Sequence, residues 1–295
     1  MTDSRPLIWL MVIASTFFWG SNFNAGHALA DEVPVLTAAA ERFGIAFVGF
    51  LLIRVFQATA ESRLVFKDIL ILAPLGVIGV FGFNYAFFSA LQTTSALNAA
   101  LIMALSPMVS LLLSAWLLPV KIRRYQYIGM ATAFVGVSLV VTGGNFGLVH
   151  IVIGDAWMIV ACIVWSFYSV GSKKFANHIP SLQFARWTVC IGAVALILAA
   201  LVIEQPLKTI PSLSLSAHLL LIYMSVFGAV LAYIFWLRGV QYLGPDRSAI
   251  AFNLVPVFTL LVSLGMGSVP QLLQVFGMGL VLGGVVISSG WKPKR

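Results

Sequence analysis

Long apolar stretches run along almost the whole chain, and short breaks with polar, proline or glycine residues separate them. A helix that crosses a membrane needs about 20 mostly apolar residues, because about 30 Å of hydrocarbon is crossed at about 1.5 Å per residue. We predict ten such helices, called spans 1 to 10, at 7–28, 34–55, 69–91, 97–118, 125–142, 154–173, 181–203, 217–240, 246–267 and 271–290. The connections are too short for a soluble domain. The pattern therefore predicts an all-α polytopic membrane protein.

Composition supports this class and excludes several others. Of 295 residues, 61% are hydrophobic and only 9% are charged, against about 25% charged residues in an average soluble domain. An ordinary soluble enzyme or a disordered chain would need more charge than this. The two cysteines, Cys162 and Cys190, lie in apolar runs and form no disulfide framework or zinc spacing. We therefore expect no metal and no cofactor.

The basic residues follow a membrane topology. The chain has 17 Lys and Arg residues and a net charge of +8, which could suggest an acidic partner. With the N-terminus in the cytoplasm, 14 of them fall at cytoplasmic ends of the spans, only Lys208 falls on the opposite side, and Arg42 and Arg186 lie within spans. Cytoplasmic loops retain positive charge. We predict that both termini are cytoplasmic and that nucleic acid is not a partner.

The second half of the chain repeats the first. Trp19 in span 1 matches Trp165 in span 6, and Arg42 in span 2 matches Arg186 in span 7. Further pairs, such as Pro107 and Pro256, keep the offset within 144–149 residues. Because five spans is an odd number, the two copies must enter the membrane from opposite sides. We predict two inverted five-helix repeats, residues 1–143 and 144–295, an arrangement typical of transporters with a binding site near the bilayer midplane.

These residues also carry a resemblance to a known family. Trp19-Gly20-Ser21-Asn22, Arg42, Pro107, Trp165 and Pro256 within a five-plus-five repeat resemble the EamA-type ten-helix members of the drug/metabolite transporter superfamily. The chain most resembles the bacterial YddG-type exporters of aromatic amino acids. The resemblance implies a pathway lined by spans 1, 3, 4, 6, 8 and 9, with spans 5 and 10 as peripheral supports. It also implies export from the cytoplasm across the bacterial inner membrane.

An exporter of amphipathic solutes needs both aromatic and uncharged polar side chains along its pathway. Aromatic rings stack on a ligand ring and attract an ammonium group, while Asn, Ser and Tyr form hydrogen bonds without a fixed charge. The candidate substrate-binding residues are Trp19, Asn22, Asn84, Tyr85, Phe88, Asn98, Trp165, Tyr168, Tyr233, Trp236, Ser248, Phe252 and Asn253. The alternative is structural: aromatic residues anchor spans at the membrane interfaces, and asparagines bridge neighbouring helices.

Prolines and glycines indicate where helices bend and pack. Pro107 and Pro256 lie in symmetry-related spans, where a missing N–H kinks the helix, so we predict them as gates. The glycines of spans 5 and 10, including Gly279 and Gly283, indicate close packing between helices or at a homodimer face. We expect Arg42 to extend toward the headgroups rather than contact substrate, and we consider Glu41 as a proton carrier.

The sequence as a whole predicts a transporter rather than an enzyme. An intramembrane enzyme would need a nucleophile with a base, or a metal site, at membrane depth, and no such histidine or carboxylate pair is visible. The predicted function is export of small amphipathic metabolites, chiefly aromatic and other neutral amino acids, by alternating access. The alternative is another substrate class of the same superfamily, namely drug-like cations, sugar-linked nucleotides or phosphates.

Overall fold

The protein is helical throughout the part that the structure describes. This computed structural model describes residues 5–56, 63–119, 121–142, 152–243, 251–252 and 254–288. The helices are α1 (Arg5–Ala28), α2 (Val35–Phe56), α3 (Phe66–Leu91), α4 (Ala96–Leu117), α5 (Arg124–Thr142), α6 (Ile153–Phe175), α7 (Ser181–Ile203), α8 (215–243), α9 (Leu254–Gly265) and α10 (Leu272–Ser288). A short helical turn, Pro206–Thr209, follows α7.

Most of these helices match the length and hydropathy of membrane spans. Within the described residues, seven helices qualify, namely α1, α2, α3, α4, α6, α7 and α8. The apolar helices α9 and α10 are shorter, at 12 and 17 residues, and residues adjoining both lie outside the described ranges. The all-helical, multi-pass membrane architecture is thus confirmed. The count of ten spans and the cytoplasmic termini stay predictions.

The packing of the helices follows the sequence repeat. Helix α1 packs along α8 and α9, and α6, which corresponds to α1 in the second half, packs along α3 and α4. Helix α2 packs on α7, and α5 packs on α10. A two-fold relation between the halves would exchange the contacts of α1 with those of α6, and it would map the α2–α7 and α5–α10 contacts onto themselves. The inverted repeat and its boundary at residues 143 and 144 stay predictions.

Two helices contain π-helical segments that the sequence analysis did not predict. These segments are Val77–Gly82 in α3 and Met224–Leu231 in α8, and their first residues are 147 positions apart. A π-helix forms i→i+5 hydrogen bonds and adds a residue to the local turn, and such segments occur frequently at functional sites. Each of the two contains a glycine, Gly79 or Gly228, that lets a side chain from the opposite half approach the backbone.

Helix α4 is interrupted rather than continuous. It consists of Ala96–Met103 and Ser106–Leu117, separated by a turn at Ala104 and Leu105. Pro107 lies in the first turn of the second piece, where the N–H that proline lacks has no helical partner anyway. The expected kink in span 4 is therefore a break three residues before Pro107. Pro256 lies near the start of α9.

Glycines allow α5 and α10 to pack closely. A Cβ atom at Gly136 would lie 2.7 Å from the carbonyl oxygen of Gly277, and one at Gly129 would meet the backbone of Gly284. The predicted close packing is confirmed for these positions. It is wrong within the chain for Gly279 and Gly283, where a Cβ atom would meet nothing within 4 Å. A homodimer face at that pair stays a prediction.

In each half, polar contacts join a loop to the start of a helix of the other half. Glu32, between α1 and α2, accepts hydrogen bonds from the backbone N–H and the hydroxyl of Ser214, which caps α8. These two bonds, the backbone one first, lower the pKa of Glu32. At the equivalent place in the other half, His178 lies 2.7 Å from Asp68 in the first turn of α3. Both contacts place a carboxylate at a helix N-terminus, where the helix dipole favours it.

Candidate functional site

A cavity of about 140 Å³ lies in the centre of the helix bundle, between the two halves of the chain. Helices α1, α2, α3, α4, α6, α7, α8 and α9 contribute to its wall, together with Phe252 just before α9. Among described residues, α5 and α10 contribute none. An apolar cavity of about 150 Å³ can hold a benzene molecule. The cavity therefore has room for a ring-sized group.

Nine aromatic residues contribute to the cavity wall. They are Trp19, Phe23, Phe43, Phe83, Phe87, Trp165, Tyr168, Tyr233 and Phe252. The two repeat-related tryptophans each belong to a ring cluster. Trp19 lies 5.2 Å from Trp236 and 5.5 Å from Phe252, and its indole N–H donates to the carbonyl of Gly228. Trp165 lies 5.4 Å from Phe83. The spacings suit edge or tilted aromatic contacts, which fix the rings in place.

A small number of polar groups interrupt this apolar wall. Asn22, Asn84 and Arg42 line the cavity, and all three are buried. The Nη1 atom of Arg42 donates to Oδ1 of Asn84 at 3.2 Å, and the Nδ2 atom of Asn84 donates to the carbonyl of Val80 at 2.8 Å. The tyrosine hydroxyls add two further groups, of which that of Tyr168 is hydrogen-bonded to Thr188 at 3.0 Å. Few polar groups in an apolar cavity are typical of small-molecule sites.

Two glycines of the π-helical segments bring side chains of the opposite half against the cavity. A Cβ atom at Gly79 would overlap the ring of Tyr168, and one at Gly228 would overlap the amide group of Asn22. Gly79 and Gly228 lie in α3 and α8, while Tyr168 and Asn22 lie in α6 and α1. Any larger residue at either glycine would displace a cavity-lining side chain. The glycines therefore set where these two side chains stand.

The structure brings eight of the predicted residues together in the cavity wall. These are Trp19, Asn22, Asn84, Trp165, Tyr168, Tyr233, Phe252 and, of the two proposed gates, Pro256. Ser248 and Asn253 lie outside the described residues. Tyr85, Phe88, Asn98, Trp236 and Pro107 do not line the cavity. The roles predicted for these five residues in substrate binding or gating stay predictions, and none of the five lines this cavity.

The excluded residues have identifiable neighbours. Tyr85 packs edge-on against Trp157, and Phe88 is buried against Phe87. Trp236 stands behind Trp19 and supports it. These side chains therefore face the structure around the cavity rather than the cavity itself.

Asn98 lies near the start of the first piece of α4, and Pro107 lies in the first turn of the second piece. The side-chain oxygen of Asn98 accepts a hydrogen bond from Gln274 at the start of α10, 3.0 Å away. Asn98 thus bridges two helices, which is the structural alternative considered for asparagines. Pro107 follows the break in α4 and contributes to the helix geometry instead of the wall.

Arg42 is the functional candidate that the sequence analysis missed. The expectation that it extends toward the headgroups is wrong, because its side chain is buried and faces the cavity. Asn84 holds one end of the guanidinium, and the rings of Phe43 and Phe87 lie 5.3 and 5.8 Å from its central carbon. The signal was available, since a charge inside a membrane span is a functional indication by default. Its repeat partner Arg186 is buried but does not line the cavity.

A second space lies near the end of α1, the start of α4 and the end of α9, and an acid–histidine pair joins α2 to α8. The space measures about 290 Å³ and is lined by residues such as Asn24, His27 and Gln274. Glu41, next to Arg42 in sequence, has its Oε1 atom 3.0 Å from Nδ1 of His218 on α8. Glu41 does not line the central cavity. Within the described residues, no group of three His, Cys, Asp or Glu side chains could hold a metal ion.

A helical membrane bundle with a central aromatic cavity defines a polytopic membrane protein that is built to accommodate a small molecule. The EamA-like transporter family model matches the chain twice, over residues 6–142 and 152–290. The chain therefore belongs to the EamA-like transporter family and is a membrane transporter, not a member of an enzyme family. The match in two copies covers both halves of the sequence.

Relatives and a solved structure agree with this family. The uncharacterized transporter YyaM of Bacillus subtilis (strain 168) is 32% identical over 96% of this chain and 93% of its own length. The uncharacterized inner membrane transporter YedA of Escherichia coli (strain K12) is 24% identical over 94% of this chain and 88% of its own. A solved crystal structure superposes with a TM-score of 0.67 at 21% identity, covering 96% of both chains, and so shows the same fold.

Proposed function

We propose that this transporter exports small amphipathic metabolites, chiefly aromatic and other neutral amino acids, from the cytoplasm across a bacterial inner membrane. The observation that carries this proposal is the ring-sized central cavity, whose wall combines nine aromatic residues and several small or aliphatic ones with a few polar groups. A substrate with a ring and a polar head matches both parts of that wall. The name of the relative YedA supports the inner membrane as the location.

We further propose alternating access between two inverted five-helix repeats. The helix contacts of one half have counterparts in the other, and the π-helical segments occupy corresponding positions. Two near-equivalent halves around one site give inward-open and outward-open states of similar energy. The break in α4 and the proline near the start of α9 lie beside the cavity and support a gating role for these two helices.

Transport by purified protein in liposomes tests the function. We expect counterflow of labelled phenylalanine into liposomes preloaded with unlabelled amino acids, with threonine and choline as comparison solutes. Counterflow without a pH gradient would establish an uncoupled carrier, whereas counterflow only with a gradient would make Glu41 and His218 the first residues to mutate. Folded protein that gives rates equal to those of empty liposomes for all three solutes would overturn the proposed substrate class.

A variant pair tests whether the cavity is the transport site. Trp165→Ala removes a ring from the cavity wall, and we expect it to reduce phenylalanine counterflow without lowering the amount of protein in the membrane. Trp116→Ala is the matched control, because Trp116 is 76% exposed on the outside of α4. Equal rates for Trp165→Ala and wild type would remove this ring from the site.

A further inference from the structure

Two buried polar atoms in the central cavity have no hydrogen-bond partner among the described residues. One is Nε of Arg42, a donor, and the other is Oδ1 of Asn22, an acceptor. Both side chains are more than nine-tenths buried, with relative exposures of 6% and 3%, and both line the cavity. Buried polar groups are normally hydrogen-bonded, so two orphaned groups on side chains that line a cavity point to a polar ligand as their partner.

Among the described residues, the guanidinium of Arg42 has no charged partner, and its Nε atom has no hydrogen-bond acceptor. Its contacts are the neutral amide of Asn84 and the rings of Phe43 and Phe87. Over the described parts of the chain, no Asp or Glu oxygen lies within ion-pair distance of it. A buried charge is normally paired, because leaving it unpaired in a low-dielectric interior is expensive. The planar fork of a guanidinium fits a carboxylate with two parallel hydrogen bonds.

The amide of Asn22 offers the complementary group. Gly228 packs directly against this amide and fixes its position, while its oxygen remains free to accept a hydrogen bond. An ammonium group is a donor without an acceptor of its own, and the surrounding rings attract it further. The cavity thus supplies a cationic donor and a neutral acceptor within one ring-sized space.

We propose that Arg42 binds the carboxylate and Asn22 the ammonium group of a zwitterionic substrate whose ring packs against the aromatic residues of the cavity wall. This inference rests on the proposed function and narrows its substrate class to aromatic amino acids and similar zwitterions. Amphipathic cations without a carboxylate, such as choline, are poor ligands, because they place a second positive charge beside an unpaired guanidinium.

Binding of three matched ligands to the purified full-length protein tests the proposal. Phenylalanine has ring, carboxylate and ammonium group, phenethylamine lacks the carboxylate, and 3-phenylpropionate lacks the ammonium group. We expect isothermal titration calorimetry to show phenylalanine binding about 10- to 100-fold more tightly than either analogue, the range expected for losing one hydrogen-bonded charged group.

Variants assign each head group to its residue. In Arg42→Gln, the preference for phenylalanine over phenethylamine should disappear, and Arg42→Lys should retain part of it through its charge. In Asn22→Ala, the preference over 3-phenylpropionate should disappear while that over phenethylamine remains. Arg186→Gln is the control for loss of a buried arginine outside the cavity wall, and we expect wild-type preferences.

The possible failures separate this inference from the proposed function. If wild-type protein binds phenethylamine as tightly as phenylalanine, or if Arg42→Gln keeps the preference, the role of Arg42 is overturned and an aromatic-ligand transporter remains. If no ligand of the series binds and phenylalanine shows no counterflow, both proposals are overturned. If Arg42→Gln does not fold, Arg42→Lys is measured instead. A preference of Arg42→Lys for phenylalanine over phenethylamine equal to that of wild type would overturn the proposal that the guanidinium of Arg42 binds the carboxylate with two hydrogen bonds.

Discussion

The close approach of Gly79 to Tyr168 predicts that a larger residue at position 79 destabilises the protein and slows transport. In Gly79→Ala, the new methyl group would overlap the ring of Tyr168 and lie 2.8 Å from its Cβ atom. Rotation of the side chain cannot relieve an overlap that includes Cβ. The ring is also held by the hydrogen bond to Thr188 and by the neighbouring Phe184 at 5.5 Å. Either α3 and α6 must separate, or Tyr168 must move into the cavity.

The expected loss of stability follows from this geometry. Overpacking of a filled interior costs about 1–3 kcal/mol, and replacing a helical glycine by alanine returns about 0.5–1 kcal/mol. The net destabilisation is about 0–2.5 kcal/mol, or up to roughly 10 °C in Tm at about 2–4 °C per kcal/mol for a larger chain, and the overlap with both the ring and Cβ of Tyr168 places Gly79→Ala in the upper part of this range. We also expect slower phenylalanine counterflow, since Tyr168 lines the cavity.

Gly82→Ala is the matched control for Gly79→Ala. Gly82 lies in the same π-helical segment, but its Cβ atom would meet Val164 and the carbonyl of Val77 at 3.6 Å, which is ordinary contact. We expect Gly82→Ala to equal or slightly exceed wild type in thermal stability, measured by size-exclusion chromatography of heated, detergent-purified protein. The reasoning is refuted if Gly79→Ala is as stable as Gly82→Ala and transports at the same rate.

Three further predictions address other parts of the molecule. Gly136→Ala should lower the Tm by a few degrees, because its Cβ atom would press on the α10 backbone. The control Gly279→Ala should leave the Tm unchanged or slightly higher. Equal Tm values for the two variants would contradict the α5–α10 packing. Tyr233→Ala should reduce counterflow at normal membrane expression, and a wild-type rate would exclude this cavity residue from transport. The pKa of Glu32 is lowered in the folded protein by its hydrogen bonds to Ser214, so its contribution to stability is present at neutral pH. This contribution is lost as the pH falls below 4.5, the ordinary value for a glutamate, and through the folded pKa. Glu32→Gln should weaken the acid-induced fall in Tm, and an unchanged profile would show that the contact does not stabilise the protein.

The sequence predicted the helices well because a membrane helix depends on composition over a long stretch of chain. Apolar length alone marks a membrane helix, and the constant offset between Trp19 and Trp165 identified two positions that both line the cavity. The candidate residues from span 3 were predicted less accurately. Asn84 lines the cavity, but Tyr85 and Phe88 do not, and the candidates did not include Phe83 and Phe87, which do. A regular 3.6-residue period cannot anticipate the π-helical segment that precedes these residues, which rotates the following side chains around the helix.

Arg42 shows a second limit of sequence reasoning. Its distance from the end of span 2 permits either extension to the headgroups or burial, and long side chains commonly take the first course. The choice depends on whether a neighbouring helix offers a polar contact, and here Asn84 of α3 does. That contact joins residues 42 positions apart, so only the tertiary structure reveals it. The same holds for Asn98, whose partner Gln274 lies on the last helix.

Among the described residues the guanidinium of Arg42 has no charged partner, and this has an electrical consequence for the proposed transport cycle. A charge that crosses the full transmembrane voltage changes energy by about 2.3 kcal/mol per 100 mV, so in the proposed alternating access a change of access side alters the fraction of that voltage acting on Arg42. The zwitterionic substrate proposed above adds no net charge, so the loaded and the empty protein carry the same charge through the field. In a carrier without proton coupling, voltage then alters how fast each half of the cycle runs, but it does not alter the concentration ratio at which net flow stops.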